Sequence, residues 1–193
     1  MMKKTLSACL ILVSTCAAAQ SVEADYNEFK MLCSVGNAEK ALEAAQSIEP
    51  RADSLPRLKK AVFFNEVARL YEGKNESEKS LSYYSKVIKL EPHYYVPYLA
   101  SGYLYLATAN RLVPVINASK QNKAKFDTHV AAYKSCLRKA VPLLEKALAC
   151  DPNEQVAAAL NRCYEALKDQ NLRNGMKGRV EALGKDCVSL LAD

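Results

Sequence analysis

FNEVARLY at residues 64–71 returns, 34 residues further along, as YLASGYLY at residues 98–105. Both stretches begin and end with an aromatic residue and carry a small residue, Ala68 or Gly102, at the fifth position. A second series repeats at a spacing of 60: Ser80, Tyr84, Val87 and Pro92 are matched by Ala140, Leu144, Ala147 and Pro152. Because 60 exceeds 34 by 26, the second unit contains the same two halves with 26 residues inserted between them.

The two series resemble the tetratricopeptide repeat, a helical hairpin with the pattern W-x2-L-G-x2-Y, then A-x3-F, then P. In this pattern the small residue lets the two helices approach closely, and Pro ends the second helix. Phe64 and Tyr98 stand where the family has Trp, and Ser101 stands where it has Leu. The resemblance implies an all-α fold: a short solenoid of antiparallel helix hairpins with one elongated central hairpin and a C-terminal capping helix.

The same pattern divides residues 20–193, expected to form a single domain, into four units. We expect a degenerate repeat at 22–50, a clear repeat at 61–94, an expanded repeat at 95–152 and a C-terminal repeat or cap at 153–193. The predicted helices are 22–35, 38–49, 57–73, 77–91, 94–112, 120–150, 154–169 and 174–191.

The 26 inserted residues are expected to lengthen the hairpin. Apolar residues recur at alternating steps of four and three from Phe126 to Ala147, which favours a longer second helix over a loop. Its partner is then a first helix that reaches past Leu112 toward Val115. Two interpretations stay open: an arm that docks a partner, or a hairpin that packs only on itself.

The N-terminus is typical of an export signal. Lys3 and Lys4 precede an apolar run that ends in three alanines, so cleavage is expected after Ala19 and residues 1–19 form the signal peptide. The run is too short to cross a bilayer as a helix. We therefore expect an exported protein of a Gram-negative periplasm, with no membrane insertion after cleavage. The alternative is a lipoprotein anchored at Cys16, where VSTC at 13–16 forms an imperfect lipobox.

Composition and motifs argue against an enzyme. Without Lys3 and Lys4 there are 25 Lys and Arg against 21 Asp and Glu, a net charge of +4 with no block of five like charges, so nucleic acid is not an expected partner. There is no P-loop, nucleophile elbow or dinucleotide-binding motif, and neither His93 nor His129 has a ligand at metal spacing. We predict no catalytic activity, no metal and no cofactor.

Five cysteines follow the signal, and an odd number leaves at least one of them unpaired. No C-x-x-C occurs. The favoured interpretation is that each acts as a small buried hydrophobe, with a structural disulfide as the alternative and the pairing left open. The five are Cys33, Cys136, Cys150, Cys163 and Cys187.

The leading functional hypothesis is an exported, non-enzymatic scaffold or adaptor that binds a protein segment. In proteins of the resembling family, the first helices of successive repeats line a concave groove that holds a peptide or a partner helix. By position, the residues expected to face it are Asn65, Arg69, Glu72, Leu99, Tyr103 and Leu106. Asn65 is expected to bond a peptide backbone, Arg69 a carboxylate, and Tyr103 to provide an aromatic anchor. The alternative is a structural or lipid-anchored accessory subunit of an envelope assembly, whose groove is filled by its own helices.

Overall fold

Antiparallel helix pairs form the fold. The computed structural model describes residues 22–191, which form nine α-helices and one 3-10 helix and contain no named strand. The helices are α1 (22–34), α2 (Ala38–Ile48), the 3-10 helix (Glu49–Ser54), α3 (Arg57–Gly73), α4 (Ser77–Leu90), α5 (Val96–Ala118), α6 (Lys123–Cys150), α7 (Glu154–Leu167), α8 (Gln170–Asn174) and α9 (Met176–Leu183). The all-α prediction is confirmed. The predicted cleavage site and Cys16 lie outside the described residues.

The two repeated stretches make equivalent close contacts. Ala68 of α3 is fully buried in one apolar cluster with Tyr84 of α4. Gly102 of α5 faces Leu144 of α6, whose Cγ and Cδ2 would lie 2.6 Å from a Cβ added to the glycine. Both pairs join a member of the 34-residue series to a member of the 60-residue series. The small residue in each first helix therefore makes room for the large side chain of its partner helix.

Two large apolar clusters form the core. The first joins α1 to α4, with Phe29 and Phe63 in edge-to-face contact at 5.1 Å between ring centroids. The second joins α5, α6 and α7 around Leu144 and Leu160, both fully buried. A small third cluster of Ala68, Tyr84 and Leu104 connects α3 and α4 to α5. The helices thus form one continuous stack, in chain order from α1 to α7.

The central hairpin is elongated as predicted. α5 has 23 residues and α6 has 28, against 17 in α3 and 14 in both α4 and α7. At 1.5 Å per residue they are about 35 and about 42 Å long. The inserted residues extend both helices, which make the most extensive interhelical contact of the stack. We call residues 111–139, the closed end of this hairpin, the arm.

The prediction of a single closing helix over 174–191 is wrong. α9 ends at Leu183, and the chain then changes direction through Gly184 and through Asp186, which has a φ of 56°. The expected apolar stripe does not continue, since Leu190 is 74% exposed. We call residues 184–191 the C-terminal strap.

Three contacts hold this strap against the stack. Cys187 forms a disulfide with Cys150 at the end of α6. Val188 pairs with the turn between α4 and α5, donating its N–H to the carbonyl of His93 at 2.8 Å and accepting from the N–H of Tyr95 at 3.2 Å. Leu191 packs against the first apolar cluster. These long-range contacts replace the helix that local periodicity predicts.

The disulfide corrects the favoured interpretation of the cysteines. Cys150 and Cys187 are bonded to each other rather than buried as separate thiols, while Cys33, Cys136 and Cys163 are free. Of these three, Cys163 is buried and the other two are half-buried. The expectation that an odd count leaves an unpaired cysteine is confirmed.

A buried ionic network holds α9 against α6 and α7. The Glu145 carboxylate, on α6, is 3% exposed and accepts two hydrogen bonds from the Arg179 guanidinium, at 2.9 and 2.6 Å. It also accepts a hydrogen bond from the Tyr164 hydroxyl at 2.6 Å. A buried carboxylate needs such partners to offset the loss of its hydration. Within residues 22–191 no helix is long and apolar enough to cross a membrane.

Candidate functional site

Three of the six predicted contact residues are buried or half-buried. Leu99 and Leu106 pack against the cluster shared by α5, α6 and α7, so the chain itself covers much of their surface. Asn65 is 7% exposed, and its Oδ1 atom is buried without a hydrogen-bond partner among the described residues. Little of these three side chains is available to a ligand.

The other three lie at the surface. Arg69 is 63% exposed, and its Nη1 lies 3.3 Å from the Glu66 carboxylate one turn earlier on α3. Glu72 is exposed and accepts a hydrogen bond from the Tyr84 hydroxyl at 2.8 Å. Tyr103 is 37% exposed, which leaves much of its ring free for contact.

A cavity of about 450 Å³ brings two of these surface residues together. It lies between the end of α3, the start of α4 and the middle of α5. The residues that line it are Glu72, Asn75, Ser77, Tyr103, Leu104, Ala107 and Arg111. Glu72 and Tyr103 therefore belong to one site, while Asn65, Arg69, Leu99 and Leu106 lie outside its lining.

Arg111 is a site residue that the sequence comparison does not indicate. Its Nη2 donates to the Ser77 hydroxyl at 3.1 Å and to the Thr108 hydroxyl at 3.2 Å. No described carboxylate forms an ion pair with it, and it also lines an adjoining cavity of about 410 Å³ near the start of α4. The position 34 residues earlier is Ser77, where α4 already begins. Repeat equivalence therefore has no first-helix residue to compare with Arg111, because α5 outlasts α3.

The site is suited to binding rather than to reaction. Burial is the largest cause that raises the pKa of Tyr84, and its hydrogen bond to Glu72 raises that pKa further, so the hydroxyl remains a donor at neutral pH. This bond fixes one oxygen of Glu72 next to the cavity. An aromatic ring, a carboxylate and a guanidinium at the edge of one cavity match the groups that recognise an extended peptide. In the part of the chain that the structure describes, no three His, Cys, Asp or Glu side chains are grouped to hold a metal ion.

Comparison with known proteins does not add to this description. The chain matches no protein-family model, no curated protein and no solved structure. The assignment of a function depends on the fold and on the surface just described.

Proposed function

We propose that this chain is a short tetratricopeptide-like solenoid that binds an extended protein segment across α3 and α5. It acts as an exported, non-enzymatic scaffold or adaptor. The observation that carries the proposal is Tyr103, an exposed aromatic side chain beside a cavity of about 450 Å³ that Glu72 and Arg111 also line. Aromatic residues and arginines supply a large share of the binding energy in protein interfaces.

Equivalent helix ends support the solenoid. The residues that follow α4 and α6, Glu91 and Asp151, each donate their backbone N–H to a carbonyl four residues earlier, at 2.7 and 2.9 Å. A proline comes next in both cases. Together with the matched contacts of Ala68 and Gly102, these ends favour two copies of one structural unit.

The bound segment is proposed to place an apolar side chain against Tyr103. Arg111 then receives a carboxylate of the partner through a charge-assisted hydrogen bond, and Glu72 accepts from a backbone N–H or a cationic side chain. Arg69 lies one turn from Glu72 on α3 and extends the polar side of this surface. Compared with the sequence-based set, Arg111 joins the contact residues, and the half-buried Leu99 and Leu106 leave them.

Two features support export. The first twenty residues have the pattern of a cleavable signal. The disulfide between Cys150 and Cys187 is of a kind that persists in oxidising compartments such as the bacterial periplasm. We therefore place the adaptor in the periplasm.

The second candidate function is a constitutive subunit of an envelope assembly. Leu99 and Leu106 favour it, because they pack on the chain's own apolar cluster and leave less of the α5 surface free for a ligand. In this case the partner is held permanently by another surface. The two functions differ in whether Tyr103 and Arg111 contribute to binding.

The test is a selection of peptides from a random library on the purified protein, followed by fluorescence anisotropy with the enriched sequences. We expect enriched peptides to bind the Tyr103→Ala and Arg111→Ala variants at least about tenfold more weakly, the loss typical of a residue that dominates an interface. The matched controls are Met31→Ala and Arg162→Ala, which remove an exposed apolar side chain and an exposed guanidinium elsewhere. Peptides that bind all four variants equally, or a selection with no enrichment, contradict the proposed site.

A further inference from the structure

Charge is segregated along the stack. Between residues 92 and 144 there are seven Lys and Arg but one carboxylate, Asp127, so this segment carries a net charge of +6. All seven cations lie on the arm: Arg111, Lys120, Lys123, Lys125, Lys134, Arg138 and Lys139. The α1–α2 end is the opposite, since residues 22–49 contain six carboxylates and two lysines, a net charge of −4. The moderate charge of the whole chain conceals this difference.

The positive charge of the arm is mostly uncompensated within the molecule. Lys123 pairs with Asp127 at 2.7 Å, but the remaining six cations have no carboxylate partner among residues 22–191. Lys139 lies over the ring of Tyr105, with 5.5 Å from Nζ to the centroid, and Arg111 bonds hydroxyl groups. Val113 and Val115 on α5 are each 41% exposed, so the arm also offers apolar surface.

The acidic end has a matching groove between α1 and α2. This groove has a volume of about 420 Å³, and Glu28, Glu43 and Asp25 line it beside Met31, which is 57% exposed. Lys40 is the one cation in its lining. Asp25 pairs with Arg51, while Glu28 and Glu43 are exposed and have no ion-pair partner in the described chain.

The two surfaces cannot be assumed to neutralise each other within one molecule, because α3 and α4 separate them in the stack. α1 and α2 belong to the first apolar cluster, and the arm extends from helices of the second. We propose that the occupant of the α1–α2 groove is the arm of a second copy of this chain. Unpaired lysines and arginines of the arm then face Glu28 and Glu43, and the valines of α5 contact Met31.

Such a contact joins two different surfaces, so it is heterologous. Each copy that docks its arm leaves its own groove free for the next copy, which produces a ring or an open chain rather than an isologous dimer. It uses neither Tyr103 nor Glu72, and it is therefore independent of the proposed peptide site. Because the pairing is electrostatic and exposed, it weakens as salt shortens the range of the charges.

Charge reversal on both surfaces tests the proposal by analytical ultracentrifugation. We expect the average mass of the wild-type protein to rise with concentration at low salt and to fall back to that of the monomer at high salt. The arm variant Lys125→Glu/Arg138→Glu and the groove variant Glu28→Lys/Glu43→Lys are each expected to remain monomeric. A mixture of the two variants is expected to associate again, because the reversed arm of one now complements the reversed groove of the other.

The matched control is Arg162→Glu/Arg173→Glu, which makes the same charge change at exposed positions on α7 and α8 and is expected to associate like the wild type. Circular dichroism establishes that every variant is folded. A wild-type protein that stays monomeric at all concentrations overturns the proposal, as does association that the arm and groove variants retain. If the monomer instead sediments with phosphatidylglycerol vesicles, the proposal is likewise overturned and the arm binds an anionic lipid surface.

Discussion

Gly102 lets α5 and α6 approach each other because it has no side chain to meet Leu144. A Cβ at this position would lie 2.6 Å from two carbons of that leucine, well inside van der Waals contact. We expect Gly102→Ala to lower the free energy of unfolding by about 1–3 kcal/mol, the usual cost of overpacking a core. Urea denaturation followed by circular dichroism measures the change.

Gly178 provides the control for this substitution. It lies inside α9, and an added Cβ there meets no atom within 4 Å. Gly178→Ala is expected to raise the free energy of unfolding by about 0.5–1 kcal/mol, because alanine is the better helix former. If both alanine variants changed stability in the same direction, contact with Leu144 would not be the cause.

The Glu145 network makes a second prediction at the level of residues. Arg179→Met leaves a carboxylate that is 3% exposed without its cation, and we expect a loss of about 2–3 kcal/mol in the free energy of unfolding. Glu145→Gln in the same chain removes the buried charge, so the double variant is expected to be more stable than Arg179→Met alone. A double variant whose losses simply add would show that the two side chains do not interact.

Sequence spacing predicts the role of some residues and not of others. Ala68 and Gly102 stand out because each occupies the same place in two copies of a pattern, and the structure gives both the expected close contact. The exposure of Asn65 and Leu99 was not predictable in this way, since it depends on which neighbouring helices cover them. Arg111 has no repeat-equivalent position and acquires its place from the length of α5.

At the level of elements, the C-terminal strap depends on the bond between Cys150 and Cys187. The bond closes a loop with a sequence separation of 37 residues. A loop of this size is expected to contribute about 3–4 kcal/mol by restricting the unfolded chain, if no native strain offsets it. We expect Cys187→Ser, or reduction of the wild type, to lower the free energy of unfolding by up to that amount, as measured by urea denaturation.

The double variant Cys150→Ser/Cys187→Ser separates this effect from reactions of the free thiols. Its stability is expected to equal that of reduced wild type and not to change when a reductant is added. Cys33, Cys136 and Cys163 are present in both proteins, so any response of the double variant to reductant would have to come from them.

Local periodicity fails at the strap for a physical reason. An apolar stripe from Met176 through Leu183 predicts a helix, but nothing in that stripe records a partner 37 residues away in the chain. Gly184 ends α9, and the bond to Cys150 then fixes the direction of the following residues. The insertion behaves differently: its apolar positions keep a helical repeat, because the contact that they make is with the adjacent helix of the same hairpin.

Across the whole molecule, buried tyrosines bonded to carboxylates make stability sensitive to alkaline pH. Tyr84 and Tyr164 are almost fully buried, and burial followed by their hydrogen bonds to Glu72 and Glu145 raises both pKa values above 10.0. Above that pH the unfolded chain loses phenolic protons that the folded chain retains. Stability from these groups is fully present below pH 10 and falls as the pH rises, by up to about 1.4 kcal/mol per pH unit for each tyrosine.

Urea denaturation at a series of pH values from about 9 to about 11 measures this slope. Tyr84→Phe removes one of the titrating groups, so its stability is expected to fall less steeply with pH than that of the wild type, although it starts lower because the bond to Glu72 is lost. Lysines titrate in the same range in both proteins and cancel in the comparison. Parallel slopes for the two proteins would contradict the assignment.

The strap also determines how the molecule responds to a mechanical load. A pull on the C-terminus reaches Cys187 first and passes through the disulfide to the end of α6, so α7, α8 and α9 carry none of the tension. The protected loop would otherwise lengthen the extended chain by about 120 Å, at some 3.3 Å per residue. An oxidised chain under force is therefore shorter, and its final three helices are spared until the bond is reduced.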